Sequence, residues 1–275
     1  MISALTKQTD GTLQLTITIA WSEVVKTREK VLEQYTQGAQ VPGFRKGKAP
    51  KKLVEEKVDN EKLREDILRN LLPSFYTEAI KEHNLKPIMS PRIQVAKLED
   101  EKDWQFIAYT CEFPQVDITN YKDAVQKITA KSKIVLPGKE KQEVNLDEIV
   151  KAVLEHVKIT IPQILLDGEV ERQLSQTLDE IKRLGLTLDQ YLASTGRSVE
   201  DLRNDYAKKA QNDITLEFAL QKIAQDEKIT VDEKEINEAI AKAKDENEKK
   251  NLETNRYLLA SILRQQKTLD FLRSL

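Results

Sequence analysis

The chain is poor in the residues that most often carry chemistry. Its 275 residues include one cysteine and two histidines. Cys111 alone cannot form an intrachain disulfide, and a lone thiol fits a reducing compartment. His83 and His156 share no metal-ligand spacing with each other or with it, so two ordinary histidines are expected and no metal site. No apolar run approaches the ~18 residues that span a bilayer. The opening MISALTKQTDGTLQLTI lacks a basic region followed by an unbroken apolar core, so no signal peptide is expected and the cytoplasm is the expected compartment. Neither charge sign dominates: 44 Lys and Arg stand against 46 Asp and Glu. That balance excludes a protein that coats nucleic acid along its whole surface. G-x-S-x-G, H-E-x-x-H and the dinucleotide glycine pattern are all absent, and nothing points to an enzyme.

The elements divide the chain in two. Gly11 to Ile19 alternates apolar and polar residues with many β-branched side chains, which predicts a half-buried antiparallel strand. Asp10-Gly11 marks a tight turn before it, so residues 2–8 are its expected hairpin partner. From Trp21 the period becomes helical, with Val24, Val25, Val31, Leu32 and Tyr35 on one face, ending near Gly38 and Pro42. A short helix around Leu53, Val54 and Val58 is followed by a longer one through Leu63, Ile67, Leu71, Phe75 and Ala79. Pro73 lies inside the longer helix and is expected to kink or divide it. Ile88–Leu98 and Trp104–Phe113 read as two further strands joined by a polar hairpin. Residues 1–118 are thus an α+β domain with helices inserted between strands.

Residues 119–147 hold few large apolar side chains and read as a linker, with one extended segment at Lys133–Leu136. Residues 148–275 read as all-α. Asn145…Glu148, Thr187…Gln190 and Thr230…Glu233 have capping-box spacing, and Ser198…Asp201 is a shorter relative. Helices are expected from Pro162 to Gly185, Val199 to Ala224, Asp232 to Glu246 and Asn251 to the end. Their narrow apolar seams suit an extended, arm-like domain.

One stretch breaks the neutral background. In 41-VPGFRKGKAPKK-52, Arg45, Lys46, Lys48, Lys51 and Lys52 crowd into eight positions, whereas residues 1–120 hold 18 basic and 18 acidic side chains overall. Pro42, Gly43, Gly47 and Pro50 restrain the backbone, so Phe44, Arg45 and Lys46 are expected at a stiff hairpin tip. Cations there suit phosphate oxygens or carboxylates, and the phenyl ring adds an apolar anchor. Gly43 to Ala49 is one residue too short between its glycines for a phosphate loop, and Ala49 stands where a Mg²⁺-binding hydroxyl belongs. Charge alone favours an ordinary solvated loop, and the flanking Pro and Gly with the phenyl ring weigh against it.

43-GFRKGKAP-50 resembles the signature of the trigger factor family of bacterial ribosome-associated chaperones. 161-IPQILLDGEVERQL-174, 185-GLTLDQYLASTGRSVEDLRNDYAKKA-210 and 226-DEKITVDEKEI-236 independently resemble the family's helical C-terminal domain, in the family's order. The resemblance implies that Phe44, Arg45 and Lys46, with Gly43, Gly47 and Lys48 shaping the loop, dock residues 1–118 beside the ribosomal exit tunnel, on a ribosomal protein and neighbouring RNA. It implies that residues 148–275 shield nascent or unfolded polypeptides without ATP, with Leu174, Leu178, Ile181, Leu258, Ile262 and Leu269 as candidate client contacts. It implies no cofactor, no membrane partner, and a homodimer off the ribosome. Family members usually carry an FKBP-type prolyl isomerase domain between these parts; residues 119–147 are too few to fold one, so isomerase activity is expected to be absent. The competing reading is a ribosome- or RNA-binding assembly factor whose helical seams are fully buried.

Overall fold

A computed structural model describes residues 2–40, 44–45, 47, 50–55, 57–133 and 145–275. The chain forms two compact units, Met1–Phe113 and Pro114–Leu275.

The first unit is the expected α+β fold. β1 (Ile2–Lys7) and β2 (Thr12–Ile19) form a hairpin. At its turn Gly11 takes a positive φ and the Asp10 carboxylate accepts the Thr12 N–H at 2.9 Å. Helices α1 (Trp21–Gly38), α2 (Lys51–Glu55) and α3 (Asn60–Glu82) precede β3 (Arg92–Lys97) and β4 (Trp104–Cys111). The antiparallel sheet has the order β1-β2-β4-β3. Pairing sets Leu15 opposite Ala108, Ile17 opposite Phe106 and Ile19 opposite Trp104. With a period of two, these side chains all face one way. They form the core with Val24, Val31 and Leu32 of α1 and Leu63, Ile67, Leu71 and Ala79 of α3.

Pro73 does not divide α3, which runs as one helix from Asn60 to Glu82. The proline costs the bond to the carbonyl four residues back, and the buried face Leu63, Ile67, Leu71 and Ala79 holds the helix on the sheet regardless. The start of α1 has no local side-chain cap. Its first N–H, from Trp21, is met instead by Asp103 of the β3–β4 hairpin at 2.9 Å.

The second unit contains β5 (Val116–Ile118) paired antiparallel with β6 (Val157–Ile159), so it is not purely helical. Its helices are α4 (Tyr121–Lys133), α5 (Leu146–Glu155), α6 (Gln163–Arg183), α7 (Leu188–Thr195), α8 (Val199–Asp226), α9 (Glu233–Ala241), α10 (Glu246–Thr254) and α11 (Arg256–Ser274). The main core joins Tyr121 and Val125 of α4, Ile149 and Val153 of α5, Ala219, Leu220 and Ile223 of α8, and Leu272 of α11.

The linker reading of 119–147 therefore fails where the structure describes it. Residues 121–133 are helix, and their sparse apolar residues, Tyr121, Val125 and Ile128, are spaced by four and three and meet this core. The extended segment expected at Lys133–Leu136 lies outside the described residues after Lys133, which ends α4.

Capping boxes form at Thr187–Gln190 and Ser198–Asp201. Asn145 instead accepts the Asp147 N–H. The box expected at Thr230–Glu233 stands two residues later, at Asp232–Glu235, with reciprocal bonds of 2.8 and 2.9 Å. The helix it opens stops at Ala241, and Asp245 caps a separate α10 before α11 begins.

Candidate functional site

The basic loop leaves α1 at Gly38 and re-enters helix at Lys51. Its base is closed by the Gly47 N–H donating to the Ala39 carbonyl at 3.3 Å. Gly47 sits at φ +79°, and a Cβ there would lie 3.2 Å from the Gln37 carbonyl oxygen, so the closure needs glycine. On the far side, the Pro50 carbonyl accepts the Leu53 N–H at 3.0 Å and starts α2. Val54 is buried against Tyr35, Ala39 and Val58, and Arg28 pairs with Glu55 at 2.7 Å. Both ends of the loop are thus anchored to α1.

Between those anchors Phe44 is 43% exposed and Arg45 is exposed. An exposed phenyl beside a guanidinium offers apolar contact and a planar donor fork on one short tip. Gly43, Lys46 and Lys48, named with them from the sequence, lie outside the described residues.

Beside the loop base lies a cavity of about 560 Å³, lined by Val31, Tyr35, Ala39, Val54, Val58 and Asp66 among others. Nothing in the sequence pattern announced it, because its walls come from three helices. The Tyr35 hydroxyl donates to Asp66, and Arg69 reaches the other oxygen of that carboxylate at 3.2 Å. The bond to Asp66, then burial, pushes the Tyr35 hydroxyl up to about 12.

The six apolar candidates of the helical unit separate into different roles. Leu258 and Ile262 of α11 are 59% and 51% exposed, and Leu178 of α6 is exposed too. Leu174 is half-buried. Ile181 is 3% exposed and belongs to the interior, and Leu269 packs on the core of α4, α5, α8 and α11. Ile181 is covered by its own unit and has no surface left to offer, whereas Leu269 is only partly buried. Tyr257, 89% exposed, extends the patch of Leu258 and Ile262, while Leu184, Leu186 and Val199 are exposed around the ends of α6, α7 and α8. The last three were missed because they flank turns rather than a periodic seam.

The remaining reactive side chains are accounted for. Ser3 donates its one hydroxyl proton to Glu82 at 2.6 Å, so the His83 Nε2, 2.9 Å away, is a donor to Ser3 and not its base. His156 Nδ1 donates to the Ala152 carbonyl at 2.8 Å. Burial pushes the Cys111 thiol up to about 11, which keeps it protonated and unreactive near neutrality. Among the described residues no group of three or more His, Cys, Asp or Glu could hold a metal ion, and no helix is long and apolar enough to cross a membrane.

The family model "Bacterial trigger factor protein (TF)" matches residues 1–149, and "Bacterial trigger factor protein (TF) C-terminus" matches residues 127–274. The two matches overlap, so no third domain separates them. Trigger factor of Lactococcus lactis subsp. lactis is 34% identical over 130 residues, covering 47% of this chain and 30% of that protein. Trigger factor of Streptococcus gordonii is 31% identical over 152 residues, covering 55% of this chain and 33% of that protein. The chain thus spans about a third of the length of these curated relatives. A solved chain described as "Promiscuous Substrate Recognition in Folding and Assembly Activities of the Trigger Factor Chaperone" superimposes with a TM-score of 0.65 at 15% identity, covering 100% of this chain and 99% of that one, a likeness of fold. With each family model covering more than half of its length, this chain belongs to the trigger factor family.

Proposed function

We propose that this chain is a cytoplasmic, ATP-independent chaperone that docks at the ribosomal exit tunnel through its basic loop and holds nascent or unfolded polypeptides on its helical unit. The observation that carries the docking half is the closed loop base at Ala39 and Gly47 presenting exposed Phe44 and Arg45. A tip held this way spends little entropy on binding. Its cations meet phosphate oxygens of RNA or carboxylates of a ribosomal protein, and Phe44 fills an apolar niche.

The holding half is supported by Tyr257, Leu258 and Ile262, large side chains left open on one side of α11. An assembly factor with fully buried seams does not account for them. Each such residue contributes about 1.5–3 kcal/mol when fully covered, against an association cost of about 4–15 kcal/mol. Contacts on this scale hold a client weakly and release it without nucleotide hydrolysis. The family's usual isomerase domain has no counterpart in the matched segments, and acceleration of proline-limited refolding is not part of the proposal.

The deciding experiment is ribosome co-sedimentation across a salt series, comparing the native chain with F44A/R45A/K46A. Engaging about three phosphates lowers affinity on the order of 10–100-fold between 50 and 200 mM salt. The triple substitution is expected to abolish pelleting with unchanged helical content. Undiminished pelleting refutes docking through the loop, and failure to suppress aggregation of an unfolded client without ribosomes refutes holding.

A further inference from the structure

The cavity beside the loop base has an apolar interior and a polar mouth. α1 presents Val31, Gln34, Tyr35 and Gly38 to it, spaced by three, one and three residues along one helical face. Val54 of α2, with Lys57 and Val58 just after it, forms a second wall, and Asp66 of α3 a third. The apolar lining is made of short side chains, three valines and Ala39, too small to fill the space between three helices. Val31 and Val54 are buried, whereas Gln34, Gln40 and Lys57 are exposed. Hydrocarbon therefore lies inward, and the groups that can hydrogen-bond stand at the opening.

Two lining side chains carry charge, and only one is compensated. Asp66 is engaged on both oxygens, by the Tyr35 hydroxyl and by Arg69 at 3.2 Å. Lys57 makes no ion pair among the described residues. Carboxylates close to it in the chain are held elsewhere, Glu55 by Arg28 at 2.7 Å and Asp59 by the Glu61 N–H at 3.0 Å. We infer that this cavity binds a medium-chain carboxylate, with its hydrocarbon chain against Val31, Val54 and Val58 and its carboxylate at the mouth, accepting from Lys57 and the side-chain amides of Gln34 and Gln40. Size agrees with that class of ligand. At about 30 Å³ for each heavy atom, the share of one water in the liquid, a volume of about 560 Å³ holds roughly 18 of them, and decanoate fits with its head in solvent. A cationic amphiphile meets Lys57 and finds no free carboxylate on the lining. A polypeptide entering as deeply brings backbone N–H and C=O groups against valines that cannot pair them. Binding here needs neither a ribosome nor a client.

The test titrates the full chain with decanoate below its micelle concentration, with decyltrimethylammonium as the cationic counterpart, and follows amide NMR shifts residue by residue. Decanoate is expected to bind with a Kd on the order of 0.1–1 mM and to move the amides of Val31, Gln34, Tyr35, Val54 and Val58. The native chain is expected to prefer decanoate over the cationic amphiphile by about 10-fold, and Lys57→Glu, a change at an exposed position, to reverse that preference. Val58→Trp fills the cavity and is expected to weaken decanoate binding about 10-fold or more at unchanged helical content. Shifts confined to Tyr257, Leu258 and Ile262 on α11, equal affinity for the two head groups, or a preference unmoved by Lys57→Glu would overturn the inference. So would an apolar peptide blocked at both ends that displaces decanoate from the cavity at lower concentration, in favour of a polypeptide segment as the occupant.

Discussion

The Tyr121 hydroxyl donates to the Glu227 carboxylate at 3.0 Å, and Lys122 Nζ lies 2.6 Å from the same oxygen. Two neighbouring residues at the start of α4 thus tie it to the C-cap residue of α8. Tyr121→Phe keeps the buried ring and loses the bond, at an expected cost of about 1–2 kcal/mol, whereas Tyr121→Ala also opens the core, at about 3–5 kcal/mol. Urea unfolding checks both. The Lys122 contact, then the bond from Tyr121, holds the Glu227 carboxyl below its usual 4.5 against the opposing effect of burial. A depressed carboxyl contributes stability above its unfolded value, and that stability is lost as pH falls through the folded one. Acid unfolding of Lys122→Met is expected to be less steep below pH 4.5 than that of the native chain.

The opposite limb is alkaline. Tyr35 is pushed up to about 12 by its bond to Asp66, and Tyr121 is pushed up by burial and then by Glu227. For an acid with a raised folded value, the contribution is complete below the ordinary value near 10 and is lost as pH rises through the folded one. Absorbance titration of the seven tyrosines is expected to show a late fraction near pH 12 that Tyr35→Phe reduces. Titration of Tyr35 near 10 would contradict the assigned bond.

How far the sequence could be read depended on whether a feature was local. β2 was legible because alternation from Leu13 to Ile19 records one buried face. The caps at Thr187 and Ser198 were legible because cap and partner lie three residues apart. α4 was not, since Tyr121, Val125 and Ile128 make a narrow stripe whose partners on α5, α8 and α11 lie far along the chain. The cap that Asp103 provides for Trp21 spans 82 residues and leaves no local signature.

The candidate site divides the same way. The composition of 41–52 marked a restrained cationic tip, and Phe44 and Arg45 are exposed. The bond that closes its base and the cavity beside it are tertiary features. Helical periodicity put Ile181 and Leu258 in equivalent seams, but it cannot tell which part of a seam another helix covers.

Gly38 and Gly47 provide an internal control for the loop. A Cβ at Gly38 meets nothing within 4 Å, so Gly38→Ala is expected to stabilise by about 0.4–1 kcal/mol. Gly47→Ala must hold φ near +79° and crowd the Gln37 carbonyl, at a cost of about 1–2 kcal/mol unless the base opens. Thermal unfolding and ribosome pelleting, measured on both, are expected to diverge. Gly38→Ala should pellet like the native chain, and Gly47→Ala should pellet more weakly although Phe44 and Arg45 are intact. Equal pelleting would mean that the closed base contributes nothing to docking.

The separation of surface from core in the helical unit gives the sharpest contrast. Tyr257, Leu258 and Ile262 lie within about 140° of one another around α11, at 100° per residue, and each is at least half exposed. Replacing all three by serine removes little from the folded state, since surface changes of this kind stay within about 0.5 kcal/mol each. Client contact would lose about 1.5–3 kcal/mol for each side chain it had covered. Ile181→Ala removes a buried side chain and is expected to cost about 2–5 kcal/mol of stability while leaving the exposed patch chemically intact. Suppression of client aggregation, measured well below the unfolding temperature, should therefore fall for the serine variant and persist for Ile181→Ala. If the serine variant suppresses aggregation as well as the native chain, α11 is not the holding surface, and the exposed apolar residues around Leu184, Leu186 and Val199 become the next to test.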